Sequence, residues 1–183
     1  MKPTTQLQCY TVTWGEAATA LRDIRRRVFI EEQKVPPELE WEPADQTATH
    51  FLLCAEPGTQ YTHDQAIGCA RILRETHGGE IRFHIGRVAV LLEWRGNGTG
   101  TGLMCELLHW CQSQTDYTHC EQVFLHAQCD VIPFYTMLGF SAVGDIFLDA
   151  GIEHRAMIWR DPTPINRVDT TAKSLPDHNS PAK

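Results

Sequence analysis

The chain has no apolar run approaching the ~18 residues that a membrane-spanning helix requires, and no short apolar core follows Met1 in the manner of a secretion signal. No membrane association is expected, and a cytoplasmic location is. Positive charge is also scarce, with 16 Lys and Arg against 23 Asp and Glu and a net charge of -7. A nucleic-acid partner is therefore not expected, because no broad basic surface is available to neutralise phosphates. Paired cysteines are missing too: the seven residues at 9, 54, 69, 105, 111, 120 and 129 form an odd set without a C-x-x-C pair. That pattern argues against a disulfide framework and against paired zinc ligands. His109, Cys111, His119, Cys120, His126 and Cys129 lie close in sequence, but on a helix, a loop and a strand, so no metal is expected. No internal repeat is present.

What remains is an ordinary globular composition, 42% hydrophobic and 21% charged over 183 residues, enough for one domain with a real core. Its most informative stretch is Arg87 to Met104. A short β-branched segment, Val88-Ala89-Val90, leads through Leu91 to Trp94 into Arg95-Gly96-Asn97-Gly98-Thr99-Gly100. Leu103, Met104, Leu107, Leu108 and Cys111 then recur at helical spacing. Glycines at a helix start leave several N–H groups open together, next to the positive end of the helix dipole. That combination suits a pyrophosphate. The loop lacks the Lys-Ser/Thr ending of a P-loop, and its glycines do not fit the dinucleotide spacing.

Around this centre the chain alternates strands and helices. Leu7 to Val12 reads as a strand, and Thr13-Trp14-Gly15-Glu16 as a capping box opening a helix with Leu21, Ile24, Val28 and Phe29 on one face. Arg22, Arg25, Arg26 and Arg27 crowd its other side as an expected solvated face, and Pro36-Pro37 stops it. Glu32, Glu40, Glu42 and Asp45 form an acidic stretch that suits either a cationic acceptor or a solvated loop. Strands are expected over 49–55, 66–73 and 80–91, the last two joined by a turn at Thr76-His77-Gly78-Gly79. Alternation puts His84, Gly86, Val88 and Val90 on one face of the third, provided no bulge intervenes. A strand over 122–128, a short helix over 131–138 ended by Gly139, and strands over 140–149 and 153–160 complete the domain. Residues 161–183, with Pro162, Pro164, Pro176 and Pro181 and few apolar side chains, are expected to be a disordered tail.

Several of these segments resemble one family. Val88-Ala89-Val90 followed by Arg95-x-x-Gly-x-Gly resembles the coenzyme A loop of GNAT-type N-acetyltransferases. Val123 to Gln128 and Pro133 to Phe140 resemble that superfamily's second motif. Arg25, Val28, Phe29, Glu32, Gln33, Pro36, Glu40, Asp45, His50, Phe147, Gly151, Ile152, His154 and Met157 follow its ElaA-like (YjcF-like) branch. Glu42 departs from that pattern, where Asp is usual, and so does Glu153, where Pro is usual. A weaker likeness extends to acyl-homoserine-lactone synthases.

The resemblance implies an α/β fold with a mixed, twisted and partly splayed sheet flanked by helices, a single domain over 1–160. It implies acetyl-CoA as co-substrate, held by Val88, Ala89, Val90, Arg95, Gly96, Asn97, Gly98, Thr99, Gly100 and Gln128. The acetyl group would pass directly to a small-molecule or peptidyl amine, in a monomer or homodimer. Tyr135 matches the family's tyrosine that protonates the leaving thiolate. Glu32, His154 and His84 stay open as base or acceptor-site candidates, with His50 a further motif residue. The rival readings are an acyl-homoserine-lactone synthase-like enzyme and a non-catalytic acyl-CoA sensor.

Overall fold

In the computed structural model, which describes residues 6–55, 62–114, 117, 120–159 and 173–174, the helices lie on both faces of one mixed sheet. Strand β1 (Leu7–Val12) passes through Thr13 into helix α1 (Trp14–Arg25). The capping box is formed: the Thr13 N–H donates to Glu16 Oε2 at 2.7 Å and the Glu16 N–H to Thr13 Oγ1 at 3.4 Å. Such a cap stabilises a helix start by about 1 kcal/mol. Beyond α1 the coil widens into a π-helix, Arg26–Glu32, which ends before Pro36. A one-turn helix α2 (Pro37–Glu40) and a 3₁₀ turn (Pro43–Gln46) follow, neither signalled by periodicity. Strands β2 (Thr49–Ala55), β3 (Ala66–His77) and β4 (Glu80–Val90) then run antiparallel in succession. Gly78 and Gly79, at φ 60° and 91°, make the two-residue turn between the last two, and so fix the register His77 to Glu80.

Helix α3 (Thr99–Ser113) crosses over to β5 (Cys120–Gln128), which pairs with β4 in parallel. Helix α4 (Ile132–Met137), β6 (Phe140–Asp149) and β7 (Ile152–Trp159) complete the described domain. Lys173–Ser174 adds a two-residue strand β8 beside β1; the rest of the expected tail, like the connection at 56–61, lies outside the described residues. The order across the sheet is β6-β7-β5-β4-β3-β2-β1-β8.

Two cores result. On one face the α3 stripe Leu103, Met104, Leu107, Leu108 and Cys111 packs with Phe51, Phe83, Leu125 and Met157. On the other, Leu21 and Ile24 of α1 and Val28 of the π-helix pack on Tyr10, Leu52, Cys54 and Cys69. Each fully buried aliphatic side chain contributes about 1.5–3 kcal/mol. Cysteines act here as small apolar residues: burial pushes the Cys54 and Cys69 thiols up to about 12. Among the described residues, no helix is long and apolar enough to cross a membrane, and no cluster of three or more His, Cys, Asp or Glu could hold a metal ion.

One helix face differs from expectation. Arg25 is not solvated but 1% exposed. It lies four residues after Leu21 and three before Val28, inside the apolar stripe, while Arg26 stays outside.

Candidate active site

Parallel pairing between β4 and β5 covers Ile81–Ile85 against Cys120–Leu125 and then stops. Past that point the strands diverge, and a cleft of about 950 Å³ opens between them. The cause lies in β4. Its register with β3 shifts between Cys69 and Arg71, and Arg87 takes a left-handed φ of 52°. This is a β-bulge, which adds a residue and bends the strand. It also inverts the side-chain alternation. Phe83 and Ile85 face the α3 core, as do Val88 and Val90 after the bulge, whereas Ala89 joins the α1 core. His84 therefore points to the face opposite Val88 and Val90, correcting the simple alternation. Among the described residues, the backbone edge of β4 facing β5 has no strand partner from Gly86 to Val90.

A non-glycine residue at positive φ is strained by about 1–3 kcal/mol and needs its surroundings to hold it. Arg87 is held by its guanidinium, with Nη2 2.8 Å from Glu42 Oε1 and Nε 3.1 Å from Glu40 Oε2. Both acids belong to a larger buried network. Arg25 Nε donates to Glu40 Oε1 at 2.5 Å and Nη1 to Asp45 Oδ1 at 2.8 Å. Arg71 reaches the same Asp45 oxygen at 2.6 Å and Glu42 Oε2 at 2.5 Å. Three arginines thus balance three carboxylates. Of the acidic stretch, Glu40 and Asp45 are buried in this network, Glu42 is held by Arg71 and Arg87 at its partly exposed rim, and Glu32 stands apart at the cleft. His50 belongs to this interior as well: its Nε2–H donates to the Asp45 carbonyl at 2.8 Å, and its ring lies 5.4 Å from Trp14.

These ionisations make stability depend on pH. Burial holds the His50 imidazole low, and burial followed by the charges of His84 and His154 does the same to His126. A depressed histidine takes up its proton first in the unfolded chain, so stability drops as pH falls below about 6.5. Burial alone would raise Glu42 and Asp45. The hydrogen bond from Arg71 with the charge of Arg87 outweighs it at Glu42, and hydrogen bonds from Arg25 and Arg71 with their charges outweigh it at Asp45, so both are lowered. Their contribution is present above the ordinary carboxylate values of 4.5 and 3.8 and is lost as pH falls through the lowered ones. Glu40 has the opposite sign, because its burial prevails over Arg25 and Arg87 and raises it. Urea titrations at decreasing pH should show stability declining below about 6.5 and again below about 4.5. A profile flat to pH 4 would contradict this arrangement.

Beyond the same end of β4, Gly96 and Gly98 hold φ of 80° and 79°. Gly98 caps α3 with no side chain, so the first N–H groups of the helix stay open toward the cleft beside Gly100 and Thr101. A Cβ at Gly100 would touch the Phe134 ring at 3.4 Å. Open donors and positive φ make this loop fit a pyrophosphate, the cofactor portion expected there. Arg95 reaches across instead, donating through Nε to the Val90 carbonyl at 2.8 Å. Its two Nη groups meet both oxygens of Glu32 at 2.7 and 2.8 Å. The neighbouring Gln33 accepts from Gln128 Nε2 at 2.9 Å, so the end of the π-helix bridges both walls of the splay.

Of the sequence candidates, Val88, Ala89, Val90, Arg95, Gly96, Gly98, Gly100, Gln128, Tyr135, Glu32, His84 and His154 line one cleft. Asn97 is exposed and Thr99 is buried, both away from its lining. Tyr135 is 8% exposed, and burial pushes its phenol up to about 12. His154 donates its Nδ1 proton to the Ile152 carbonyl at 2.9 Å, leaving Nε2 with a lone pair. His84 Nδ1 lies 2.9 Å from Glu75 Oε1, a carboxylate that can only accept. The lining residues Glu75, His126, Arg71 and Arg87 were not anticipated. The Gly78-Gly79 turn could have found Glu75. It pairs Leu73 with His84 and Glu75 with Arg82, which makes Glu75 and His84 diagonal neighbours on one face.

Comparison with known proteins agrees with this geometry. The family model for the acetyltransferase (GNAT) domain matches residues 22–160. The UPF0039 protein Rv2851c of Mycobacterium tuberculosis is 35% identical over 146 residues, covering 79% of this chain and 85% of its own. Protein ElaA of Escherichia coli is 30% identical over 139 residues, covering 75% and 84%. The ElaA crystal structure superposes with a TM-score of 0.67 at 26% identity, over 86% of this chain and all of that one. A CoA-dependent acyl-homoserine lactone synthase, BjaI, shares the fold at TM-score 0.62 and 16% identity, over 86% of each chain. The chain belongs to the GNAT acetyltransferase family, in its ElaA-like branch, and its class of chemistry is acyl transfer.

Proposed function

We propose that the protein transfers an acetyl group from acetyl-CoA to an amine by direct attack. The observation that carries this reading is the splayed end of β4, whose unpaired edge leads straight to the glycine-capped start of α3, with Tyr135 buried beside it. The extended arm of the co-substrate suits the free strand edge, and its pyrophosphate suits the open N–H groups at Gly98 to Thr101. A backbone N–H in Val88–Val90 can then stabilise the oxyanion of the attacked thioester.

An amine of pKa near 10.4 costs about 4.6 kcal/mol to neutralise at pH 7, so a base is needed. His84 is the base of choice, because Glu75 fixes its Nδ1 proton and orients the ring toward the cleft. His154 has a free Nε2 but lacks a carboxylate behind it. Glu32 has both oxygens engaged by Arg95 and serves better to hold that arginine. The thiolate leaves with the proton of Tyr135.

Calorimetry with acetyl-CoA tests the cradle. Gly98→Val forces a β-branched side chain into a φ of 79° and blocks close backbone approach, so affinity should fall about 30-fold or more. Asn97→Ala should stay within about twofold, since that side chain contacts nothing in the cleft. Equal affinities would remove the loop from cofactor binding. Release of CoA with a panel of amines, with product masses measured, then separates an enzyme from an acyl-CoA sensor.

A further inference from the structure

The half of the sheet beyond α1 carries a row of rings on the face that His84 shares. His84 stacks on Phe124 with centroids 4.4 Å apart and meets His126 edge-on at 4.9 Å. His126 meets Phe147 at 5.0 Å, and Phe147 stacks on His154 at 6.0 Å. This floor crosses β4, β5, β7 and β6, and its three imidazoles line the cleft. The charges around it are unequal. Each arginine that lines the cleft is already ion-paired, Arg71 and Arg87 with Glu40, Glu42 and Asp45, and Arg95 with Glu32. Glu75 and Asp149 line the cleft at opposite ends of the floor, and Asp130 lines it as well. Among the described residues, no ion pair to Asp130 or Asp149 is present, and both Asp149 and Glu75 act electrostatically on His126.

We propose that the acceptor is a cationic amine that carries no carboxylate, its apolar body lying on the ring floor and its charge drawn by Glu75 and Asp149. This rests on the acetyl-transfer reading above and narrows its substrate. A free α-amino acid would bring its carboxylate into a cleft whose lining arginines are all taken. Like charges within about 7 Å at a protein surface discriminate by about tenfold. The imidazole faces that line the cleft suit a flat or aliphatic body, and the carboxylates at its ends attract the ammonium group.

Matched pairs test it: tryptamine against tryptophan, histamine against histidine, agmatine against arginine and cadaverine against lysine, each at saturating acetyl-CoA. The decarboxylated member should lead by about tenfold or more in kcat/KM, with the ratio shrinking as salt rises. Asp149→Lys should reduce that ratio by about tenfold while acetyl-CoA affinity is retained. Amino acids used as well as their amines, or a ratio unmoved by Asp149→Lys, would overturn the proposal. Calorimetry of the same pairs on the acetyl-CoA complex, and on the free protein, separates the two failures. Amines that bind at least about tenfold tighter than amino acids, yet are never acetylated, would sink the transfer reading and leave the recognition standing. Absence of any such preference in binding would sink the recognition itself.

Discussion

Arg25→Met should lower stability by about 3–5 kcal/mol, the usual cost of leaving buried charges without a partner. Arg25 is 1% exposed, and its removal strips Glu40 of a 2.5 Å contact and Asp45 of a 2.8 Å contact, both acids being buried. It also removes the cation packed between Trp14 and Trp41, with ring centroids 5.6 and 5.0 Å away. In a domain of this size the change corresponds to a melting temperature lower by roughly 10 °C. Arg26→Met is the control. That side chain is about half exposed in its pairs with Asp23 and Glu31, where solvent screens the charges, so the melting temperature should hardly move. Similar melts for the two variants would show that the network holds nothing.

The destabilisation should reach the site as well. Glu40 and Glu42, the carboxylates that keep Arg87 at a φ of 52°, are tied to Arg25 directly or through Asp45 and Arg71. The bulge that frees the β4 edge is thus secured by residues from α1, α2, the 3₁₀ turn and β3. Arg25→Met protein that still folds should therefore bind acetyl-CoA more weakly than wild type, although Arg25 does not line the cleft.

What could be read from the chain, and what could not, follows from how local each feature is. The α3 stripe and the glycines before it are contiguous, and five apolar residues at helical spacing together with positive-φ positions specify strand, loop and helix on their own. The capping box at Thr13 and the Gly78-Gly79 turn were legible for the same reason. The bulge was not, since its left-handed residue is an arginine, which carries no local signal for that conformation. Its cause is an acid about 45 residues upstream in sequence. Once the bulge was missed, alternation set His84 beside Val88 and Val90, one inversion away from its true face. The buried network was hidden similarly. Arginine and glutamate in a helix and a following loop read as surface, and only the meeting of α1 with β3 and β4 shows that each has a partner. Glu32 illustrates the converse. Its motif position singles it out and it lines the cleft, while its chemistry there depends on Arg95, 63 residues away.

Tyr135→Phe should lower turnover by about 10²-fold while leaving fold and acetyl-CoA affinity in place. The ring is held by edge contacts, 5.0 Å from Phe134 and 5.8 Å from Phe140, and phenylalanine reproduces both. Only one oxygen is lost, so core volume barely changes. Burial that pushes the phenol up to about 12 keeps it protonated throughout the working range. It can therefore donate at neutral pH, but gives up its proton only as charge develops on the departing sulfur. An interaction made in the transition state and not before depresses kcat and kcat/KM together. For the same reason, Tyr135 should produce no alkaline limb in the pH–rate profile below about 11. A purely architectural tyrosine predicts another pattern, a lower melting temperature with unchanged turnover per folded molecule. Steady-state kinetics, calorimetry and a melt on one preparation separate the two, and wild-type turnover in a well-folded Tyr135→Phe would exclude this hydroxyl as the proton donor.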